Sequence, residues 1–376
     1  MGDIRTESIT PFTSATEMLR VLRMRTVSAV ELLEMHLRRI ERYNPVLNAI
    51  VNINYDNARR AAVAADKARA RGEDNALLGL PITIKDSIEV LGLPSTAGLP
   101  EFTDYHPEAD GLLAARVRAA GAVIMGKTNL AYRLKDWQTN NPLFGRTNNP
   151  WNLNHTVGGS TGGGAAALAA GLTPLEFGSE FIGSIRIPAA FCGVYGHKPS
   201  ETAIPRSGHF PAPQLFNPAV VMTVQGPLAR SAEDLELALN VIAGPEVGED
   251  IAWKLCMPPA RHKHLADYRV AILPPIAWLP VDDEILKHLD SLASTLSRIG
   301  AYIKETQPEG FNNLHDYYKL TLSLISAQVH PLMPEANRHN LAEKIYTIGD
   351  EFDIAWADGI VAGVSEYVDW MGQREK

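Results

Sequence analysis

The sequence predicts an α/β protein with a central β-sheet that is flanked by helices on both faces. Segments with the periodicity of amphipathic helices alternate with short apolar runs of strand length, and a glycine such as Gly121 or Gly300 often separates the two. Alternation of this kind is typical of folds in which helices cover a sheet. No linker rich in proline and serine and no block of charge interrupts the 376 residues, which predicts a single domain over 1–376.

The N-terminal part of this domain, about residues 1–75, is predicted to be helical. Ser28 and Glu31 have the spacing of a capping box, and an apolar stripe with helical spacing follows them. Because proline disrupts a helix, we expect Pro45 to end this one. A second, alanine-rich helix is expected over 57–71.

The central part, about residues 76–305, supplies strands and helices in turn. After Pro81 we expect a strand in which Lys85 and the neighbouring Asp86 point to opposite faces, because side chains alternate along a strand. A local ion pair between them is then disfavoured, which leaves Lys85 available to a buried site.

The part from about 306 to 376 is predicted to be mainly helical. Further helices are expected over 112–120, 232–242 and 283–299, and further strands over 122–125, 269–273 and 301–303.

Charge and composition argue against several classes of partner and location. The formal net charge is −8, so neither nucleic acid nor an anionic membrane would be attracted, and a small neutral substrate is favoured. The uncharged run 156–175 is too rich in glycine and threonine for a membrane span, and residues 1–16 lack the apolar core of a secretory signal. Cys192 and Cys256 provide neither a disulfide framework nor a metal cluster, which fits a reducing cytoplasm. We therefore expect a cytoplasmic protein without metal or cofactor.

Two serines lie in glycine-rich bends between residues 158 and 197. Ser160 lies in a glycine cluster, Ser184 follows Gly183, and the alanine-rich segment between them is predicted to be a short helix closed by Gly171. Glycine allows backbone N–H groups to converge on one point, as stabilisation of an oxyanion requires. By composition alone such segments are most often plain loops, and only the wider pattern favours a catalytic site.

Three segments form a pattern that is far more specific than any one of them alone. They are GLPITIKD over 79–86, GGSTGG over 158–163 and GSEFIGSIRIPAAFCG over 178–193. Together they resemble the motifs of the amidase signature family, the Ser-cisSer-Lys amide hydrolases, and the resemblance extends over about 28–303. It implies a mixed central β-sheet with helices on both faces, and hydrolysis of the C–N bond of a small-molecule carboxylic amide.

The resemblance also implies a role for each residue of the site. Ser184 would be the nucleophile that forms a seryl acyl-enzyme, Ser160 the relay and Lys85 the base. A lysine is a base near neutral pH only if its pKa falls from about 10.4 to about 7.5, which burial can cause. The backbone N–H groups implied to stabilise the oxyanion are those of Phe181, Ile182, Gly183 and Ser184. The residues implied to contact the substrate are Trp137, Gln138 and Thr161.

Four positions depart from the residues that are usual in the family, and these departures suggest reduced activity. They are Glu180 in place of aspartate, Ile182 in place of glycine, Thr161 in place of the second serine, and Gly164 where serine is common. A β-branched residue is a poor occupant of backbone with positive φ. We therefore expect the loop at Ile182 to relax and to turn one N–H group away from the oxyanion.

The family's members typically continue well beyond the point where this sequence ends. We therefore expect a shortened C-terminal side that lacks the last strands of the family. Sheet edges and apolar surface exposed in this way would need cover, either from a second copy in a homodimer or from a partner chain.

Three other functions stay open on the sequence alone. A relative without turnover could serve as a binding or assembly protein, and an amidotransferase subunit could release ammonia for a partner enzyme. The segment GGSTG over 158–162 also fits G-x-S-x-G, the nucleophile elbow of α/β-hydrolase esterases. That motif requires a strand directly before the serine, where the sequence is turn-like.

Overall fold

The computed structural model describes residues 9–210, 221–307, 309, 313–331 and 333–376. The chain divides into two compact units, Met1–Leu255 and Cys256–Lys376, which are described in turn. The single domain expected over 1–376 stays a prediction. Residues 1–8 of the N-terminal segment weighed as a signal, and residues 308, 310–312 and 332 of the predicted helical part, lie outside the described residues.

The first unit contains a six-stranded sheet and the helices that pack on it. Its helices are α1 (Ala15–Arg23), α2 (Ala29–Leu47), α3 (Tyr55–Ala70), α4 (Leu112–Ala119), α5 (Gly162–Ala169), α6 (Arg186–Cys192) and α7 (Ala232–Ile242). Its strands are β1 (Ile50–Ile53), β2 (Pro81–Lys85), β3 (Val123–Thr128), β4 (Leu175–Glu180), β5 (Tyr195–Gly196) and β6 (Val224–Ala229).

The sheet is mixed and buried at its centre. The strand order is β1-β3-β2-β4-β6-β5, with β3, β2 and β4 parallel and the outer pairs antiparallel. Every residue of β2, β3, β4 and β6 is buried, so both faces of these strands are covered. The predicted α/β fold with a mixed central sheet is confirmed.

The predicted end of α2 is wrong. The capping box at Ser28 is present, but the helix continues through Pro45 and ends only at Asn48, whose φ of 53° is left-handed. The side chain of Asn44 then accepts the N–H groups of the two residues that leave the helix, at 2.9 Å each. A proline removes one backbone donor and does not by itself end the helix, whereas Asn44 binds the departing chain and Asn48 takes the left-handed conformation at which the helix ends.

The strand predicted over 122–125 extends to Thr128. Gly126 does not end it, because this glycine lies inside β3 where β1 approaches closely. A Cβ at this position would overlap the carbonyl oxygen of Asn52. In this strand, glycine marks a close approach of two backbones and not a boundary.

The second unit combines a small sheet with helices. Strands β7 (Arg269–Ile272) and β8 (Tyr302–Glu305) pair in parallel, and α8 (Asp283–Ile299) connects them. The predicted strands therefore exist, but they form a separate two-stranded sheet and do not join the six-stranded one. The remaining helices are α9 (Leu314–Val329), α10 (Glu335–Ile348), α11 (Glu351–Val361) and α12 (Val364–Arg374).

Within the ranges described, none of these helices combines the length and the apolar character that crossing a membrane would require.

Candidate active site

Lys85 is the last residue of β2, in the interior of the sheet, and its side chain is fully buried. Its Nζ donates hydrogen bonds to Ser160 Oγ at 2.7 Å, to Thr161 Oγ1 at 2.9 Å and to Ser179 Oγ at 3.1 Å. All three acceptors are neutral hydroxyl groups. The neighbouring Asp86 makes its hydrogen bonds elsewhere, in keeping with the opposite orientations expected along a strand.

The buried position changes the acidity of this lysine. Burial lowers the pKa of Lys85 from 10.5 to about 7, and the charges of Glu176 and Glu180 oppose the fall. Near neutral pH a large fraction of such an amine is unprotonated. Lys85 therefore has the acidity that a lysine needs in order to accept a proton from a hydroxyl group.

Ser160 lies in a loop whose shape depends on the glycines before it. Gly158 has a left-handed φ of 75°, and a Cβ on Gly159 would lie 2.6 Å from a backbone carbonyl oxygen. The peptide bond between Gly159 and Ser160 is cis. The Ser160 side chain is fully buried, with its hydroxyl on Lys85. The predicted helix follows as α5, and Gly171 leaves it with a φ of 68°.

Ser184 lies in the bend between β4 and α6. Glu180 holds this bend, because its carboxylate accepts the N–H groups of Ile185 and Arg186 at 3.0 Å each and pairs with the Arg186 guanidinium. Ser184 is 5% exposed, and its carbonyl oxygen accepts the N–H of Thr161 at 3.0 Å. This bond joins the two serine-bearing loops. Among the described residues, no hydrogen bond links the Ser184 hydroxyl to the hydroxyl of the other serine.

The backbone between β4 and α6 presents free N–H groups. Those of residues 181–184 donate to no acceptor in the described part of the chain. The left-handed φ of the bend, 111°, falls on Gly183, and Ile182 is not among the residues with positive φ. Ile182 therefore carries no backbone strain of this kind, as a relaxed loop would not. The direction of its N–H group relative to the oxyanion is a separate question, which kinetics can answer.

The three residues expected to contact substrate differ in their surroundings. Trp137 is half exposed, and its Nε1 donates to the carbonyl oxygen of Ile182 at 3.1 Å, so its ring adjoins the bend with the free N–H groups. Gln138 is exposed beside it. Thr161 is fully buried, where its hydroxyl accepts from Lys85 and donates to the Ser179 carbonyl at 3.2 Å.

Two polar residues of β4 were missed by the sequence analysis. Ser179 accepts a hydrogen bond from Lys85, and the fully buried Glu176 accepts bonds from Thr83 and Thr128. The signal was available, because LEFGSE places charged and hydroxyl side chains in a strand inside an otherwise apolar stretch. A buried carboxylate is costly and therefore informative.

The remaining candidates for chemistry are few in the ranges the structure covers. No group of three or more His, Cys, Asp or Glu side chains lies close enough together there to hold a metal ion. Cys192 and Cys256 are free thiols, the first buried and the second exposed. Burial raises the pKa of Cys192 to about 12, so this thiol stays protonated and is a poor nucleophile.

Comparison with known proteins gives a consistent group of relatives. The chain is 36% identical over 246 residues to fatty-acid amide hydrolase 2 of Homo sapiens, which covers 62% of this chain and 45% of that protein. It is 36% identical over 312 residues to an acylamidase of Rhodococcus erythropolis, which covers 82% of this chain and 64% of that protein. The chain thus spans about half to two thirds of the length of these relatives.

Solved structures and the family model agree with these matches. A bacterial aryl acylamidase of the amidase signature family superposes with a TM-score of 0.75 at 26% identity, over 97% of this chain and 76% of that one. The family model for amidases matches residues 31–352. Because this match takes in most of the sequence, the chain belongs to the amidase signature family.

Proposed function

We propose that this chain hydrolyses the C–N bond of a small carboxylic amide through an acyl-enzyme on Ser184, with Ser160 as relay and Lys85 as base. The observation that carries the proposal is the fully buried Lys85, with its Nζ on Ser160 Oγ and its pKa lowered to about 7. A lysine held by neutral hydroxyl and carbonyl groups can change its charge during a reaction. One paired with a carboxylate would stay protonated.

In the proposed reaction, Ser184 Oγ attacks the amide carbonyl carbon. Its proton moves to Ser160, whose own proton moves to Lys85. The N–H groups of residues 181–184 stabilise the oxyanion, and the loss of one such donor typically costs about 10² to 10³ in kcat. The C–N bond then breaks as the proton returns through Ser160 to the leaving amine. Water attacks the acyl ester by the same proton route, which releases the acid and restores the hydroxyl of Ser184.

The absence of a hydrogen bond between the two serine hydroxyls is compatible with this route. Catalytic hydrogen bonds are often long without substrate and tighten only in the complex. The bond from Thr161 N–H to the Ser184 carbonyl already holds the two loops together.

The geometry favours this reaction over an esterase that uses the nucleophile elbow. No strand precedes Ser160, since residues 151–159 form turns and bends, and the side chain is fully buried against Lys85. An elbow serine follows a strand directly and is exposed. As parts of the same proposal, the substrate is a small molecule, the reaction takes place in the cytoplasm without a cofactor, and a second copy or a partner chain contributes to the assembly.

A serine-directed fluorophosphonate tests the nucleophile. Intact-mass analysis should show one adduct, peptide mapping should place it on Ser184, and Ser184→Ala should abolish it. An adduct on Ser160 would support the elbow instead. An unlabelled wild type would favour a binding or assembly role, and turnover of glutamine or asparagine with release of ammonia would favour the amidotransferase role.

A further inference from the structure

One buried carboxylate near the site has no part in the reaction as described. Glu176 accepts from Thr128 Oγ1 at 2.6 Å and from Thr83 Oγ1. Both threonines flank Lys85, because Thr83 precedes it by two residues on the same face of β2 and Thr128 is its partner on β3. Glu176 is in turn the partner of Thr83 on β4. The four side chains therefore share one face of the sheet, with Glu176 fixed beside the lysine.

Helix α5 is adapted to this carboxylate. A Cβ at Gly164 would lie 2.6 Å from Glu176 Oε1 and closer still to Cγ. Serine, the common residue here in the family, would not fit against this glutamate side chain without a shift. The departure at Gly164 therefore has a physical cause, because it makes room for Glu176.

The charge of Glu176 is not paired directly. Among the described residues no ion pair involves it, and the cations that act on it through space are Lys85 and Lys127. Lys127 follows Gly126 on β3 and donates to carbonyl oxygens and a hydroxyl group. Glu180 differs, because its carboxylate pairs with Arg186. Glu176 is thus the carboxylate whose charge bears most directly on Lys85.

The two groups change charge in the same pH range. Burial raises the pKa of Glu176 to about 7 and lowers that of Lys85 to about 7. His209 also interacts electrostatically with Lys85. Burial lowers the pKa of His209 to about 3, so this histidine is neutral near pH 7. The other charged groups that act on the two buried lysines are Glu180, Asp86 and Glu89.

We propose that Glu176 is a positioning residue whose ionised carboxylate keeps the proton on Lys85 and so sets the pH at which Lys85 becomes a base. This inference rests on the proposed function of Lys85. A buried lysine without such a neighbour would lose its proton at lower pH and would be a weaker base. A base serves best when its pKa lies near the working pH. Glu176 raises the pKa of Lys85 towards the working pH without forming a direct ion pair.

The test is the titration of Lys85 itself. In protein labelled with ¹³C at lysine Cε, NMR would follow the midpoint of Lys85, with Lys85→Met to assign the signal. Glu176→Gln keeps the shape and removes the charge. We expect it to lower the midpoint by at least about one pH unit, the low end of the effect of a close opposite charge. The acid limb of the profile of kcat/KM against pH should also move to lower pH.

Two further variants separate charge from structure. Thr128→Val removes one hydrogen bond that favours the ionised carboxylate, so it should lower the Lys85 midpoint in the same direction by a smaller amount. Asp234→Asn is the matched control, because Asp234 is a fully buried carboxylate on α7 that accepts the N–H groups of Ala15 and Thr16, away from the site. It should leave the midpoint unchanged.

An unchanged midpoint in Glu176→Gln would overturn the proposal. Should that variant fail to fold, the Thr128→Val midpoint decides in the same way. A wild type that neither labels with fluorophosphonate nor hydrolyses any amide would refute the proposed function. The NMR midpoint would still decide whether Glu176 controls the proton on Lys85.

Discussion

Lys85 is surrounded by hydroxyl groups, where a buried lysine ordinarily pairs with a carboxylate. Hydroxyl groups accept its hydrogen bonds without supplying the charge that would hold its proton. This arrangement costs stability, because the unfolded chain keeps Lys85 protonated up to about pH 10 and the folded chain only to about pH 7. The loss of stability is largest below about pH 7, and it falls to zero as the pH rises from about 7 to about 10.

The first prediction is that Lys85→Met is inactive and yet more stable. Replacing a buried ammonium by an apolar side chain should raise the free energy of unfolding at pH 7 by about 1 to 3 kcal/mol. The gain over wild type should shrink as the pH approaches 10. Urea unfolding of both proteins at pH 7 and at pH 10 measures this difference in the free energy of unfolding. A loss of stability at pH 7 would show that the lysine makes a net favourable contribution to the fold.

The second prediction concerns Ile182, which has no positive φ to relieve. Ile182→Gly should therefore not raise kcat on an activated amide or ester. It should lower stability by about 0.5 to 1 kcal/mol, because glycine loses more conformational freedom on folding. Steady-state kinetics measures kcat, with Ile182→Ala as the control. A tenfold rise in kcat with glycine and not with alanine would mean that the N–H group at 182 is misdirected in the wild type.

At the scale of elements, the sequence predicted what local chemistry decides. The capping box at Ser28, the end of α5 at Gly171 and the end of α8 at Gly300 all follow from side chains near in sequence. The error at Gly126 has another origin, because the role of this glycine depends on the backbone of β1, which lies far from it in sequence. The error at Pro45 is itself local, because the side chain of the adjacent Asn44 accepts the N–H groups of Ala49 and Ile50 and so helps to end the helix beyond the proline.

The third prediction tests the packing of α5 on β4. Gly164→Ala should lower stability by about 1 to 3 kcal/mol, because its Cβ would meet Glu176. Glu176→Ala alone should also destabilise, since two threonine hydroxyl groups lose their acceptor. The double variant should cost less than the sum by at least about 1 kcal/mol. Strict additivity in chemical denaturation would mean that the two residues do not compete for the same space.

At the scale of the whole molecule, the site depends on segments far apart in sequence. Lys85, Ser160 and Ser184 could be chosen in advance because a resemblance between motifs supplied them. The hydrogen bonds of Glu176 could not be predicted in this way. The register between β2, β3 and β4 fixes which side chains share a face, and that register follows from the packing of the whole sheet.

Arg230 provides another such long-range link. It is largely buried and donates to the carbonyl oxygens of Pro11, Thr13, Leu168 and Thr173. The fourth prediction is that Arg230→Met lowers the free energy of unfolding by about 2 to 4 kcal/mol, because several buried acceptors lose their donor. Thermal unfolding should show the loss with KM unchanged. Arg59→Met, which breaks an exposed pair with Glu34, is the control and should cost under about 1 kcal/mol. Equal losses in the two variants would contradict this role.

The pH dependence of fluorophosphonate labelling at Ser184 tests the serine–lysine account most directly, because it reports activation of the nucleophile without any choice of amide. The wild-type rate should rise through an apparent pKa of about 7, the value to which burial lowers Lys85. In Lys85→Met the rate near pH 8 should fall by at least about 10² and lose this dependence. A labelling rate in Lys85→Met equal to that of the wild type, with the same pH profile, would show that another group activates the serine and would contradict the account.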